Sequence, residues 1–279
     1  MKRFLTVIGL LASIAAMGQE TVDSGIASVA MPASRIPRTL SALSMGGTDN
    51  LESPATFALG STKLDAEGNF LMWNAAAAYK DVNLNADMRF GKLSLKVLGS
   101  YDIGSASASL KTSNMMAGAG VGFAITDFLS IGATGKYLGM SLGSDTNLSA
   151  FCGDVMMAAK FGGFNAALGV RELGTKVSGY SLPTSVALGL GYGIDFGEKN
   201  RVDARADFDY YLCKAISLGA GARYCWNNMV SLSAGYHYGG VVGNFASVGG
   251  AVTFKGLRLG AVGMFGSGLN AMMSIGYTF

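Results

Sequence analysis

Residues 201–211 read RVDARADFDYY, with Arg201, Asp203, Arg205, Asp207 and Asp209 on one parity and Val202, Ala204, Ala206, Phe208 and Tyr210 on the other. Successive strand side chains point to opposite faces, so this stretch predicts a ribbon with one charged and one apolar face. The same period of two returns along the chain from about residue 70. Val82, Leu84, Ala86, Met88 and Phe90 alternate with Asn83, Asn85, Asp87 and Arg89; Phe164, Ala166, Leu168 and Val170 alternate with Asn165 and Arg171. Across these segments the apolar parity carries almost no charge, and the other parity is largely Gly, Ser, Asn and Ala.

Short Gly, Asn and Asp turns, such as Gly91-Lys92, Gly162-Gly163 and Lys255-Gly256, separate strands that are joined at their other ends by mostly longer connections. That asymmetry is how an outer-membrane barrel is built. Counting back from Phe279 gives thirteen strands after Asp81, and residues 70–79 supply a fourteenth, with both ends of the chain on the periplasmic side. A charge facing lipid at mid-bilayer costs roughly 2–4 kcal/mol, so five on one strand would cost about 10–20 kcal/mol and must face inward. The expected fold is all-β, a transmembrane antiparallel barrel of about 14 strands with an N-terminal plug-like segment.

Composition divides the chain. Lys2 and Arg3, an apolar run over residues 4–16 and the small residues Ala16 and Gly18 predict a signal peptide over 1–18. Without those two cations, the 21 basic residues fall almost level with the 18 acidic ones, which removes the argument for a nucleic-acid partner. Residues 19–68 hold three of the four prolines and no sustained period of two, and predict a plug or periplasmic segment ahead of a barrel over 69–279. Cys152, Cys213 and Cys225 are read as unpaired thiols. No metal or cofactor spacing is present.

The candidate chemistry is electrostatic. His237 is the one histidine; its nearest same-face serine, Ser233, lies roughly 13 Å along the strand, so catalysis is not expected and a solvated, lumen-facing ring is. Gly118, Gly120 and Gly122 put a smooth stripe on one strand face that admits close approach by a neighbour or plug. Arg201, Asp203, Arg205, Asp207 and Asp209 read as an internal salt-bridge ladder and, with Arg223 and Arg258, as lumen and plug contacts. Further charges on that parity, Arg89, Lys96, Asp154, Lys160 and Arg171, predict a hydrated interior of mixed charge that suits a plugged barrel better than a continuous greasy tunnel. The last strand ends on Phe279 and resembles the signal read by the barrel assembly machinery.

Several short patterns resemble FadL-like outer-membrane barrels, in particular the PorV/PorQ-type branch. They are ALSMGG with Met45, Gly46 and Gly47, MWNAA with Asn74, the Glu172-Leu-Gly174 triplet, and SLPTSVALGLGY with Leu182, Pro183 and Thr184. The family usually has Asn-Pro-Ala at the start of its barrel, and here Ala75 stands at the proline position. The resemblance implies fourteen strands, an N-terminal plug and an outer-membrane location. It also implies transport or type IX-type secretion, with cargo proteins as partners. Uptake of long-chain fatty acids or other small hydrophobic molecules, and a structural envelope scaffold, are the alternatives.

Overall fold

Fourteen strands close into one antiparallel barrel in which every strand pairs with its sequence neighbours and β14 returns to β1. The computed structural model describes residues 30–279 except 74–78, 105–111, 143–145, 198, 241–242 and 267–268. The expected signal peptide and Asn74 lie outside the described residues. The strands are β1 (Leu64–Trp73), β2 (Tyr79–Phe90), β3 (Leu93–Gly104), β4 (Thr112–Ala124), β5 (Leu129–Leu142), β6 (Thr146–Phe161) and β7 (Phe164–Gly174). They continue as β8 (Ser185–Phe196), β9 (Asn200–Tyr211), β10 (Ile216–Trp226), β11 (Val230–Gly239), β12 (Phe245–Phe254), β13 (Leu257–Phe265) and β14 (Leu269–Thr278).

The wall is inside out relative to a soluble sheet. Leu84, Phe151, Leu232 and Met273 are among many large apolar side chains on the outer surface, while Asp209, Glu172, His237 and Asn83 are fully buried within. Phe90, Trp226, Phe254 and Phe279 stand exposed at strand ends, at the depth of an interfacial girdle. Closure leaves no free edge, and the apolar outer surface requires hydrocarbon around it. The chain is a transmembrane β-barrel of the outer-membrane type. Its tight turns share one end with Lys63 and Phe279; at two of them, Asn227-Asn228 and Lys255-Gly256, both residues have positive φ, the backbone of a type I′ hairpin.

One strand departs from the sequence reading. β1 begins at Leu64 and pairs through Asp65↔Thr278, so residues 64–68 are wall. The expected strand over 70–79 straddles the connection between β1 and β2 instead. Here Asp65, Glu67 and Asn69 occupy the lumen parity, while Ala66 and Gly68 give the outer parity almost no hydrophobic signal.

Residues 30–60 fill the lumen. A 3₁₀ turn (Pro32–Arg35) leads to α1 (Leu40–Ser44), a second 3₁₀ turn (Asp49–Leu51) and α2 (Pro54–Ala58). Both helices are a little over one turn long and need explicit caps: the Thr39 hydroxyl accepts from Ala42 N–H at 3.1 Å, and Ser53 accepts from Thr56 N–H at 3.2 Å with Pro54 at the first helical position. α1 lies against β11, β12 and β13, α2 against β2 to β7, and the second 3₁₀ turn against β7 and β8, so the segment touches most of the circumference.

Candidate functional site

The inward face of β9 holds this segment by charge. The Arg35 guanidinium donates to Asp209 Oδ1 at 2.6 Å, with both side chains sealed from solvent, and lies 5.5 Å from the centre of the Tyr211 ring. Burial works against the Arg35 charge; the Asp209 carboxylate outweighs it and leaves the group above its ordinary pKa. Arg205 bridges the segment and the wall, pairing with Asp207 and with Glu52 (2.6 Å) and donating to the Thr48 carbonyl. Asp207 accepts the Thr48 N–H at 3.2 Å.

Of the seven predicted lumen residues, Arg205, Asp207 and Asp209 therefore touch the N-terminal segment. Arg201 and Arg223 instead converge on Asp203 at 2.7 and 2.9 Å, and Arg258 reaches Glu67 of β1 at 2.6 Å. These four make a wall-to-wall ladder.

Glycines shape the remaining fit. Met45, Gly46 and Gly47 press on Gly219, Gly221 and Gly235, where an added Cβ would overlap backbone atoms. The stripe at Gly120 and Gly122 receives Pro54, and Gly132 receives Ala55. His237 is not solvated: its Nδ1 faces the Gly46 carbonyl at 3.0 Å, its Nε2 faces Ser217 Oγ at 3.2 Å, and its ring stacks on Phe245 at 5.0 Å. Ser217 is thus the serine partner, supplied by the neighbouring strand.

A second buried ion cluster lies on β5, β6 and β7. Lys136 pairs with Asp154 (2.8 Å) and with Glu172, and Cys152 donates to Glu172 at 3.0 Å. Glu172 has φ +56 beside a register shift between β6 and β7, so a bulge turns it inward next to Arg171. Its carbonyl accepts from Thr184 Oγ1 at 2.7 Å, which ties down the connection at 175–184, with Leu182 and Pro183 buried beneath it.

The segment's polar backbone is met by residues that the sequence reading did not single out. Glu67 accepts Leu40 N–H at 2.7 Å, Asn69 donates to the Arg38 carbonyl at 2.7 Å, and Ser94 and Ser130 donate to the Pro54 and Ala55 carbonyls at 2.6 and 2.7 Å. Asn50 spans Leu188, Phe208 and Arg171. Lumen parity marked only Ser94 and Ser130 among them.

The interior is also less uniformly polar than the charges implied. Leu40, Leu43, Leu71, Phe245, Val262, Met264 and Met272 form one apolar cluster against β12, β13, β14 and β1. Met31, Met116, Leu138, Ala150, Cys152, Val177 and Leu182 form another under the 175–184 connection. Both lie mostly toward the loop end. Between segment and wall are cavities of about 50 and about 20 Å³, enough for a few waters and far below the roughly 150 Å³ cavity known to take benzene.

No protein-family profile and no curated protein matches the chain. Solved structures do. The toluene transporter TbuX of Ralstonia pickettii aligns over 84% of this chain and 96% of its own with a TM-score of 0.59 at 12% identity. The P. putida toluene transporter TodX gives 83%, 94%, 0.56 and 12% in the same order. A FadL homologue of Pseudomonas aeruginosa gives 95%, 97%, 0.54 and 10%. At these identities the likeness establishes a shared fold, in agreement with the FadL-like architecture that the motifs imply.

Proposed function

We propose that this barrel carries small hydrophobic molecules across the outer membrane and is closed at rest by residues 30–60. The observation that carries the reading is the pair of apolar clusters in the loop-side half of an otherwise ion-paired lumen. A lumen built only to hold a segment by hydrogen bonds has no need of them, whereas a greasy molecule arriving from outside would meet them first. The two similar structures named as toluene transporters support the same reading. Short turns on the Phe279 end put the longer connections, and these clusters, on the extracellular side. Lipid covers the outer belt, and the strand ending at Phe279 is the part offered to the assembly machinery. Our reading is transport rather than catalysis, supported by His237 nitrogens that meet a carbonyl and a hydroxyl, with no carboxylate bonded to the ring among the described residues.

Uptake of a labelled hydrophobic ligand into proteoliposomes tests this reading. Flux above that of protein-free vesicles, rising when the Arg35–Asp209 pair is broken, is the expected result; flux equal to protein-free vesicles for both proteins refutes it.

A second reading has its own support. The filled lumen and the PorV/PorQ-type motifs fit a barrel that receives secreted cargo and conducts nothing itself. Co-purification of surface proteins without ligand flux would favour it; neither flux nor co-purified cargo would leave the scaffold role.

A further inference from the structure

One arc of the turn-side rim carries cations that make no ion pair among the described residues, on a continuous strip of hydrogen-bonded backbone. Lys255 opens the connection between β12 and β13, and Gly256, the next residue, accepts the Thr278 N–H at 2.9 Å. Phe279 then turns its oxygen to the N–H groups of Lys63 and Leu64, at 2.8 and 2.9 Å. The Lys63 carbonyl accepts Arg89 N–H at 2.8 Å, and the Arg89 guanidinium reaches the carbonyls of Ser61, Thr62 and Gly91 at 3.1, 3.3 and 3.1 Å. Lys92 follows Gly91. Lys63, Lys92 and Lys255 are exposed, and among the described residues no ion pair involves them or Arg89. The nearby side-chain carboxylate, Asp65, is taken by Thr278 at 2.9 Å and Arg258 at 3.4 Å. The opposite half of the rim mixes signs, with Asp127 and Asp195 beside Lys160 and Lys199.

Aromatic rings fix the depth of these cations. The Lys63 and Lys255 ammonium groups lie 5.8 and 5.4 Å from the ring centres of Phe279 and Phe254, and Phe90 immediately precedes the Gly91-Lys92 turn. All three phenylalanines face outward in the girdle. Each lysine therefore stands one step outside the apolar belt, where an amphipathic side chain puts its stem on rings and its charge among headgroups.

We propose that this arc is a binding site for anionic glycerophospholipid of the periplasmic leaflet. The three lysines and Arg89 meet headgroup phosphates along the arc, and Phe90, Phe254 and Phe279 line the boundary with the acyl chains. The site sits over the seam between β1 and β14, so an occupied headgroup would brace barrel closure.

The test is the midpoint of heat-modifiable gel migration for the full chain in detergent, titrated with dioleoyl phosphatidylglycerol or phosphatidylcholine. Half-saturation is expected at a concentration at least about tenfold lower for the anionic lipid, given the usual strength of a lysine at an anionic surface, and the preference should shrink in high salt. The K63Q/K92Q/K255Q variant is expected to abolish the preference, and K176Q/K214Q, at the loop end, to retain it. Equal response of the wild type to both lipids overturns the proposal, as does the same loss in K176Q/K214Q. Stabilisation by inorganic phosphate as strong as by phosphatidylglycerol overturns the lipid assignment. Should the triple variant fail to fold, K92Q and K255Q singly carry the test: each lowers the preference, or the site is refuted.

Discussion

Asp209→Ala removes the one hydrogen-bonding partner that the sealed Arg35 guanidinium has among the described residues. Arg35 has its Nη2 on Asp209, while its Nε and Nη1 have no partner among the described residues, so once Asp209 is gone only the Tyr211 ring and the more distant carboxylates of Glu172 and Asp154 face the charge. Breaking a buried pair from one side costs about 3–5 kcal/mol, against about 1.4 kcal/mol per tenfold change in an equilibrium. If the cost is relieved by the segment leaving its seat, the unseated population rises by roughly two to three and a half powers of ten. The Arg205 bridge and the glycine cradle still hold the rest, so the expected signature is intermittent opening and not a permanent pore. Planar-bilayer recordings should show bursts of ion conductance rare in the wild type, with heat-modifiable migration confirming an intact barrel. The double variant R35M/D209L is the decisive companion, because replacing both charges by apolar groups of similar size removes the stranded ion and is often neutral. Its conductance should return toward wild type. An unchanged open probability in Asp209→Ala, or a double variant as leaky as the single one, would refute the latch.

The other expectations use the same barrel. Gly235→Ala places a Cβ against the Met45 carbonyl and should cost about 1–3 kcal/mol in seating, read as faster proteolysis within residues 30–60, whereas Gly135→Ala meets open space and should change nothing. Lys136→Met removes the cation shared by Asp154 and Glu172, leaving Asp154 only the longer Arg171 pair at 3.6 Å; the cost is about 3–5 kcal/mol, and hydrogen exchange through 175–184 should rise because Thr184 hangs on the Glu172 carbonyl. Leu84→Arg, near the middle of β2 and 59% exposed, should destabilise the barrel in lipid by about 2–4 kcal/mol, measured by reversible unfolding from vesicles.

Parity carried the sequence reading as far as it went. A wall strand between lipid and lumen must alternate, so β9 announced both its faces, and even Gly118, Gly120 and Gly122 disclosed a smooth surface for close approach. Parity failed where the outer face was small. β1 presents Ala66 and Gly68 to lipid, and its inward Asp65, Glu67 and Asn69 passed for an irregular polar stretch. It failed again at the β7 bulge, because one extra residue shifts the phase and sends Glu172 inward beside Arg171. Contacts between distant residues were beyond it altogether. Nothing local to His237 says that Ser217 stands across the β10–β11 pair, or that Gly46, almost two hundred residues earlier, supplies the carbonyl facing its Nδ1. The ladder at β9 shows the same boundary: its charges were legible, but its division between Arg205, Asp207 and Asp209 on the segment and Arg201 and Asp203 on the wall follows from strand height against an object that periodicity does not describe.

That division bears on how the barrel could open. The carbonyls of Arg38, Ser44, Gly46, Thr48, Pro54 and Ala55 are each met by a wall side chain, so lumen and segment complete each other's hydrogen bonding. Moving the whole segment would expose all of these groups together and would require water to replace them at once. The two apolar clusters are different, because a hydrophobic molecule can replace Leu40, Leu43 or Met31 without leaving a polar group unmet. Stepwise displacement by an apolar ligand at the loop end, with the β9 latch released last, therefore has the lower cost. On that route ligand binding precedes opening, so conductance in Asp209→Ala should rise further with a hydrophobic ligand, and in the wild type the ligand alone should raise it less. A ligand that closed the Asp209→Ala channel would reverse the order and rule this route out.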